Sequence, residues 1–123
     1  MATDTRRDPA ALERLRELGG EPLVQKLIDL FLENTPKRIQ TAIEGERSGA
    51  WREVERAAHS IKSSLANLGF EGVRALALEL EEAAERKDAE TVGPLLGELQ
   101  AVLPVVLGAL QDLRPPPAIP GNP

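Results

Sequence analysis

The chain has 123 residues, a formal net charge of −5 and no cysteine. Its length suits one domain, and its acidic balance argues against a nucleic-acid-binding protein, which is usually basic. The lack of cysteine excludes disulfides, thiol catalysis and cysteine-based zinc sites. The N-terminal residues contain no apolar signal-peptide core, and the longest near-apolar run, residues 101–110, is about half as long as a membrane span. A cytoplasmic protein without a membrane partner is therefore expected.

Apolar residues recur at spacings of three and four from residue 9 to 113, and period-two alternation is absent, so the chain is predicted to be all-α. Asp8 and Pro9 form a cap and a helix-starting proline, which predict a short helix that runs to about Leu18. The Gly-Gly pair that follows Leu18 is expected to end this helix.

From Pro22 to about Arg47, either one long second helix with a kink near Thr35 or two helices that abut there are predicted, because Pro36 falls inside the apolar pattern. Its core-facing stripe is predicted to contain Leu23, Leu27, Leu30 and Phe31.

A third predicted helix runs from about Gly49 to Leu68, where Gly69 has the position of a left-handed C-terminal stop. A fourth covers about residues 71–87, and a fifth runs from about residue 88 to 113 with a bend at Pro104. Since short connections make neighbouring helices antiparallel, the predicted fold is an antiparallel up-down four-helix bundle with a short extra N-terminal helix.

The predicted domain organisation is one bundle between two tails. The bundle occupies residues 9–114, and residues 1–8 are predicted to be a flexible N-terminal tail. The proline-rich residues 115–123 are predicted to be an extended C-terminal tail or a linker, since this composition cannot add to a packed core.

His59 is the one histidine of the chain. A turn of 100° per residue places it about 140° from the centre of the apolar stripe of its helix, so it is predicted to face outward near the middle of the helix. An exposed imidazole is a nucleophile near neutral pH, and a ring nitrogen can take up a phosphoryl group and release it again. A lone surface histidine more often has no function, and the helical geometry alone leaves both interpretations open.

Small and basic side chains surround His59 on the same helix face. Those one or two turns away are Arg52, Arg56, Lys62, Ser63 and Ala66. Lys62 could offset the charge of a phosphoryl group, and Ser63 and Ala66 are short enough to let another protein approach. Taken singly, each basic residue is better explained by an ordinary solvated helix face.

The run AAHSIKSSLANLGF, residues 57–70, resembles the signature of histidine phosphotransfer (HPt) domains, A-H-x-L-K-G-x-x-x-x-[LI]-G. The matching residues are Ala58, His59, Lys62, Leu68 and Gly69. Ile61 stands in place of the usual Leu, and Ser63 in place of the usual Gly. LIDLFLENTPKRI and LELEEAAERKDAE also resemble the second and fourth helices of this family, so the resemblance extends over residues 9–113.

This resemblance implies a phosphoryl carrier in two-component or phosphorelay signalling rather than an enzyme. His59 would accept the phosphoryl group, Lys62 would be its positive neighbour, and Ser63 would remain small while adding a hydroxyl donor. The partner would be a response-regulator receiver domain or a hybrid histidine kinase. The receiver would supply the aspartyl phosphate, the Mg²⁺ and most catalytic groups, so no metal or cofactor is expected on this chain.

The partner is expected to bind the surface around the histidine, formed by Arg52, Arg56, Ala66 and Asn67. Leu32 and Ile43 either extend this surface as an apolar patch or cover neighbouring helices. The clustered carboxylates of Glu79, Glu81, Glu82 and Glu85 are interpreted as a solvated helix face, because this helix lacks the loop spacing of a hard-cation site. A monomer is the expected oligomeric state.

Two other functions remain open at this point. The bundle could be an adaptor that binds a signalling partner without phosphate chemistry, in which case His59→Ala would leave binding unchanged. A hydrolase or another enzyme is the weakest alternative, because one histidine, no cysteine and no glycine-rich phosphate loop leave few catalytic groups.

Overall fold

The computed structural model describes residues 2–114, which form four α-helices. They are α1 (Pro9–Ser48), α2 (Trp51–Leu68), α3 (Glu71–Glu85) and α4 (Ala89–Gln111). Each helix packs against two others, because α2 lies between α1 and α3 while α4 closes the ring against α3 and α1. The connections are short enough to make consecutive helices antiparallel. The predicted all-α four-helix bundle is therefore confirmed.

No loop separates the predicted short N-terminal helix from the helix that follows, and the two meet at a kink at Gly20 inside the range of α1. Residues before and after the Gly-Gly pair belong to one helical element, within which Gly20 has a non-helical conformation at φ +71° and ψ −172°. Only glycine adopts this left-handed φ without strain. Pro22 follows in the next turn, where its fixed φ favours an immediate restart of the helix. Leu12 and Leu15, before the break, are buried in the same core as the residues after it.

The buried face of α1 also differs from the predicted stripe. After the break, the buried residues of α1 are Val24, Ile28, Phe31, Thr35, Ala42 and Gly45. Of the predicted set, only Phe31 is fully buried, whereas Leu23 and Leu27 are half-buried and Leu30 is 42% exposed. This segment is apolar on more than one side, so periodicity could not identify the side that the other helices cover. The helix also continues through Pro36 without a break at Thr35.

Glycine ends α2 as predicted. Gly69 has φ +87°, and its N–H donates to the carbonyl oxygens of Leu65 and Ala66. A Cβ at this residue would also lie 2.7 Å from the carbonyl oxygen of Asp8. Gly69 therefore combines a left-handed stop with a close backbone approach, and both require glycine.

The segment before α1 lies against the bundle. The N–H of Asp8 donates to the carbonyl oxygen of Gly69 at 2.8 Å, and the hydroxyl of Thr3 donates to Glu98 Oε1 on α4 at 2.9 Å. These contacts define the position of residues 2–8, while the flexibility predicted for residues 1–8 stays a prediction. The tail predicted for residues 115–123 lies outside the described residues.

By length and composition, α4 is long and apolar enough to cross a membrane, and it is the one such helix within residues 2–114. Seven of its side chains, which are Val92, Leu96, Leu99, Val102, Leu103, Val106 and Leu110, are buried in the bundle. Much of the high hydropathy of α4 therefore comes from side chains that pack in the core of the bundle. Only 33% of its most apolar 18-residue window is buried, however, so α4 also presents uncharged surface to the outside.

We expect Gly72→Ala to lower the free energy of unfolding by about 1–3 kcal/mol, because overpacking against backbone forces a local shift. A Cβ at residue 72, in the first turn of α3, would overlap the carbonyl oxygen of Asp4. Urea unfolding followed by circular dichroism measures the change.

A shortened chain that lacks residues 2–5 is the matched background for this substitution. It removes the obstructing carbonyl, so Gly72→Ala is expected to stabilise it by about 0.5–1 kcal/mol, the ordinary gain for alanine over glycine in a helix. Equal destabilisation in both backgrounds would show that the N-terminal segment does not cause the effect.

Candidate functional site

His59 lies near the middle of α2 and points away from the core, as predicted. The residues that α2 buries are Val54, Ala57, Ala58, Ile61, Leu65 and Leu68. They form a continuous stripe that fixes the rotation of the helix about its axis. The side chain of His59 is 60% exposed as a result.

A carboxylate on the neighbouring helix holds the imidazole. His59 Nδ1 lies 2.7 Å from Oε2 of Glu81 on α3. An ionised carboxylate can only accept, so Nδ1 carries the ring proton and donates it. The lone pair is therefore on Nε2, at the far side of a ring that is mostly exposed.

The same carboxylate also pairs with Lys62. The ammonium group of Lys62 donates to Glu81 Oε1 at 2.7 Å, so each carboxylate oxygen has its own partner on α2. The two side chains are 22% and 15% exposed, respectively. Burial acts to raise the pKa of Glu81, but the hydrogen bonds from Lys62 and His59 outweigh it, and the pKa lies below its ordinary value. Glu81 is thus ionised at neutral pH.

Sequence reasoning missed the role of Glu81, because it grouped this residue with three others as a solvated helix face. Glu79, Glu82 and Glu85 are indeed exposed, whereas Glu81 is mostly buried between α2 and α3. The position of Glu81 in the helix contained a signal. It lies four residues after Ala77 and three before Ala84, and because both are buried it is at the rim of the core stripe.

The remaining predicted residues lie on or beside the His59 face. Arg52, Arg56, Ser63 and Asn67 are exposed, and Ala66 is half-buried. Arg56, His59 and Glu81 line one shallow depression, together with Glu55 and Ser60. Lys62 differs from the other basic residues, because its ammonium group is turned toward α3 and bound by Glu81.

A groove of about 150 Å³ runs between α1 and α2 beside this face. Asn67 and Ser64 form its α2 side, while Leu27, Leu30 and Arg38 form part of its α1 side. The apolar surface next to the histidine face therefore consists of residues that were predicted to be core.

Leu32 and Ile43, the two residues considered for this apolar patch, instead pack half-buried against the core. Leu32 lies beside Asp29 and Arg114, at the end of α4 rather than next to His59. Within residues 2–114, no group of three or more histidine or acidic side chains is arranged to hold a metal ion.

Comparisons with known proteins agree with this architecture. The family model described as Hpt domain matches residues 26–113. The chain is also similar to the crystal structure of histidine-containing phosphotransfer protein B (HptB) from Pseudomonas aeruginosa PAO1, with a TM-score of 0.79 and 21% sequence identity over 87% of this chain and 92% of that chain. At this identity the likeness shows the fold. A search of curated proteins found no match.

The ionised state of Glu81 predicts how stability depends on pH. Its folded-state pKa lies below the ordinary value of 4.5, so its contribution is complete above that value and is lost as the pH falls through the folded-state pKa. Between about pH 5 and pH 3, the free energy of unfolding should therefore fall more steeply for the unmodified chain than for Glu81→Gln.

Urea titrations at a series of pH values test this difference. Glu82→Gln is the matched control, because it removes an exposed carboxylate from the adjacent residue and should follow the unmodified chain. A Glu81→Gln curve parallel to that of the unmodified chain would mean that Glu81 gains nothing from its two partners.

Proposed function

Since the chain belongs to the Hpt domain family, whose members carry phosphoryl groups in phosphorelays, we propose that His59 is the residue that carries the phosphoryl group, on Nε2. The observation that supports this assignment is the 2.7 Å hydrogen bond from His59 Nδ1 to Glu81, in a ring that is 60% exposed. It leaves one nitrogen with a free lone pair, and this nitrogen lies on the side from which a partner can approach.

The transfer step follows from this arrangement. The Nε2 lone pair attacks the phosphorus of an aspartyl phosphate on the partner, the P–O bond to the aspartate breaks, and the aspartate leaves as a carboxylate. The proton on Nδ1 stays in place, so the phosphorylated ring is positively charged. The carboxylate of Glu81 offsets this charge at 2.7 Å. In the reverse direction the ring leaves as a neutral imidazole, which makes onward transfer feasible.

Lys62 and Ser63 support the phosphoryl group in this proposal. Lys62 lies one helical turn after His59, and its ammonium group would turn from Glu81 toward the phosphoryl oxygens to offset their charge. Ser63 is exposed on the same turn and offers a hydroxyl donor. The Mg²⁺ and the remaining catalytic groups are assigned to the receiver domain of the partner, as the family resemblance implies.

The receiver domain is proposed to dock over the exposed face of α2 and the α1–α2 groove. In this proposal Arg52, Arg56, Ala66 and Asn67 contribute from α2, which is the surface expected from the sequence. Leu27, Leu30 and Arg38 contribute from α1, in place of the patch that was one of two alternatives for Leu32 and Ile43. An apolar centre with a basic margin suits an acidic partner surface, because desolvated apolar contacts supply affinity while the charges orient the approach.

The His59→Ala variant tests the phosphorylation site. Phosphoramidate transfers its phosphoryl group directly to an accessible histidine nitrogen and therefore requires no knowledge of the partner. The unmodified chain should gain one phosphoryl group that is stable in base and labile in acid, with the N–P bond at Nε2 in nuclear magnetic resonance spectra. His59→Ala should gain none, and equal labelling of this variant would refute the assignment.

The Leu30→Glu variant tests the docking surface. It should lower kcat/KM for transfer to a receiver domain by about tenfold or more, since losing an interface contact of this kind costs about 1.4 kcal/mol. Phosphoramidate labelling of His59 should be unchanged. Leu18→Glu is the matched control, because Leu18 is 79% exposed before the Gly20 break.

An equal loss of transfer in both variants would count against the α1–α2 groove. Receiver binding without transfer, and unaffected by His59→Ala, would favour the phosphate-independent adaptor.

A further inference from the structure

From residue 97 to 111, the outer face of α4 exposes no charged side chain, although Glu90 is exposed in the first turn of this helix. No acidic or basic residue occurs between Glu98 and Asp112. The carboxylate of Glu98 is turned toward the N-terminal segment, where it accepts the hydroxyl of Thr3. From residue 97 onward, the residues that α4 exposes are small, apolar or amide, namely Gly97, Gln100, Ala101, Pro104, Val105 and Gln111. Val105 is 55% exposed.

A groove of about 220 Å³ between α1 and α4 adjoins this face and shares Gln100 and Pro104 with it. Ile39 and Leu107 make its walls mainly apolar. Thr35 also lines the groove, and its residue is 1% exposed while its hydroxyl oxygen has no hydrogen-bond partner within residues 2–114. A buried hydroxyl without a hydrogen-bond partner lowers the stability of the fold. The groove therefore contains both apolar surface and one hydroxyl that lacks a hydrogen bond.

The glycines of this face have no role within the bundle. A Cβ added at Gly97 or Gly108 would meet nothing within 4 Å, although each glycine costs about 0.5–1 kcal/mol relative to alanine inside a helix. Because glycine has no side chain, another helix can approach the backbone closely at these two positions. The order Gly97, Ala101, Pro104, Gly108 also has the alternating spacing of four and three that forms a seam between two packed helices.

We propose that the outer face of α4 from residue 97 to 111, with the adjoining groove, is the interface for a second copy of this chain. Each copy carries a net charge of −5, so two copies repel unless they meet through surface without charge. The exposed residues of α4 from 97 to 111 meet that condition, and a twofold axis pairs the same surface with itself. The amide of Gln100 from the second copy is a hydrogen-bonding group of the kind that Thr35 lacks.

The proposed dimer leaves the phosphorylation site open. α4 packs against α1 and α3 but not against α2, which carries His59. Both histidine faces would therefore point outward in a dimer with two independent sites. This inference does not depend on the role of His59, and it replaces the monomer that was expected from the sequence.

Sedimentation equilibrium of the purified full chain tests the proposal, from about 10 μM to about 1 mM, because one helix face makes a small and weak interface. The unmodified chain should form dimers reversibly. Ala101→Glu and Val105→Glu should each weaken association by at least tenfold, since they place like charges on both sides of the interface. Leu18→Glu should associate like the unmodified chain.

Cross-linking gives a second readout that does not depend on these charged variants. The chain has no cysteine, so Ala101→Cys creates one reactive thiol near the middle of the face. A short bismaleimide should cross-link A101C into dimers, whereas S63C on the His59 face should remain monomeric. Labelling by phosphoramidate should be the same in Val105→Glu and the unmodified chain.

Three results would overturn the proposed dimer. The first is a monomer at every concentration, and the second is unchanged association of both charged variants. The third is binding of the unmodified chain to phosphatidylcholine vesicles without self-association, which would make the α4 face a membrane contact instead.

Discussion

The site depends on one carboxylate that is held between two helices. Glu81 is 15% exposed, so its charge would be costly without partners, and His59 and Lys62 supply one hydrogen bond to each oxygen. These bonds keep the carboxylate ionised, and the ionised carboxylate in turn requires the ring proton to be on Nδ1. The burial of Glu81 thereby selects the nitrogen that remains nucleophilic.

The bundle makes this carboxylate contact possible through small side chains. Ala58 on α2 and Ala77 and Ala84 on α3 are at most 1% exposed, and α2 and α3 share the most extensive packing in the molecule. Short side chains on facing helices allow the backbones to approach closely. A glutamate at the rim of α3 can therefore reach across to α2, whereas larger residues at these positions would separate the helices and lengthen both hydrogen bonds.

The sequence predicted the features that depend on local spacing. The outward direction of His59 follows from the apolar stripe of its own helix, and the end of α2 at Gly69 follows from the conformational freedom of glycine. Glu81 was missed because its partner is 22 residues away, and the spacing within one helix cannot say what the next helix brings opposite. The stripe of α1 was misplaced for a related reason. Leu30 and Val24 are equally apolar, and only packing decides which one is covered.

The α2 side and the α4 side of the bundle differ in the charged side chains that they expose. The α2 side combines exposed arginines with a buried carboxylate, and it suits a partner that brings charge and leaves again. From residue 97 to 111, the outer face of α4 exposes no charged side chain, and it keeps two glycines that weaken the helix without relieving any clash. Core packing accounts for the buried half of α4, but it gives no reason for these exposed glycines. A neighbouring helix that approaches closely from outside does give one, and two chains of net charge −5 can meet there without opposing charges.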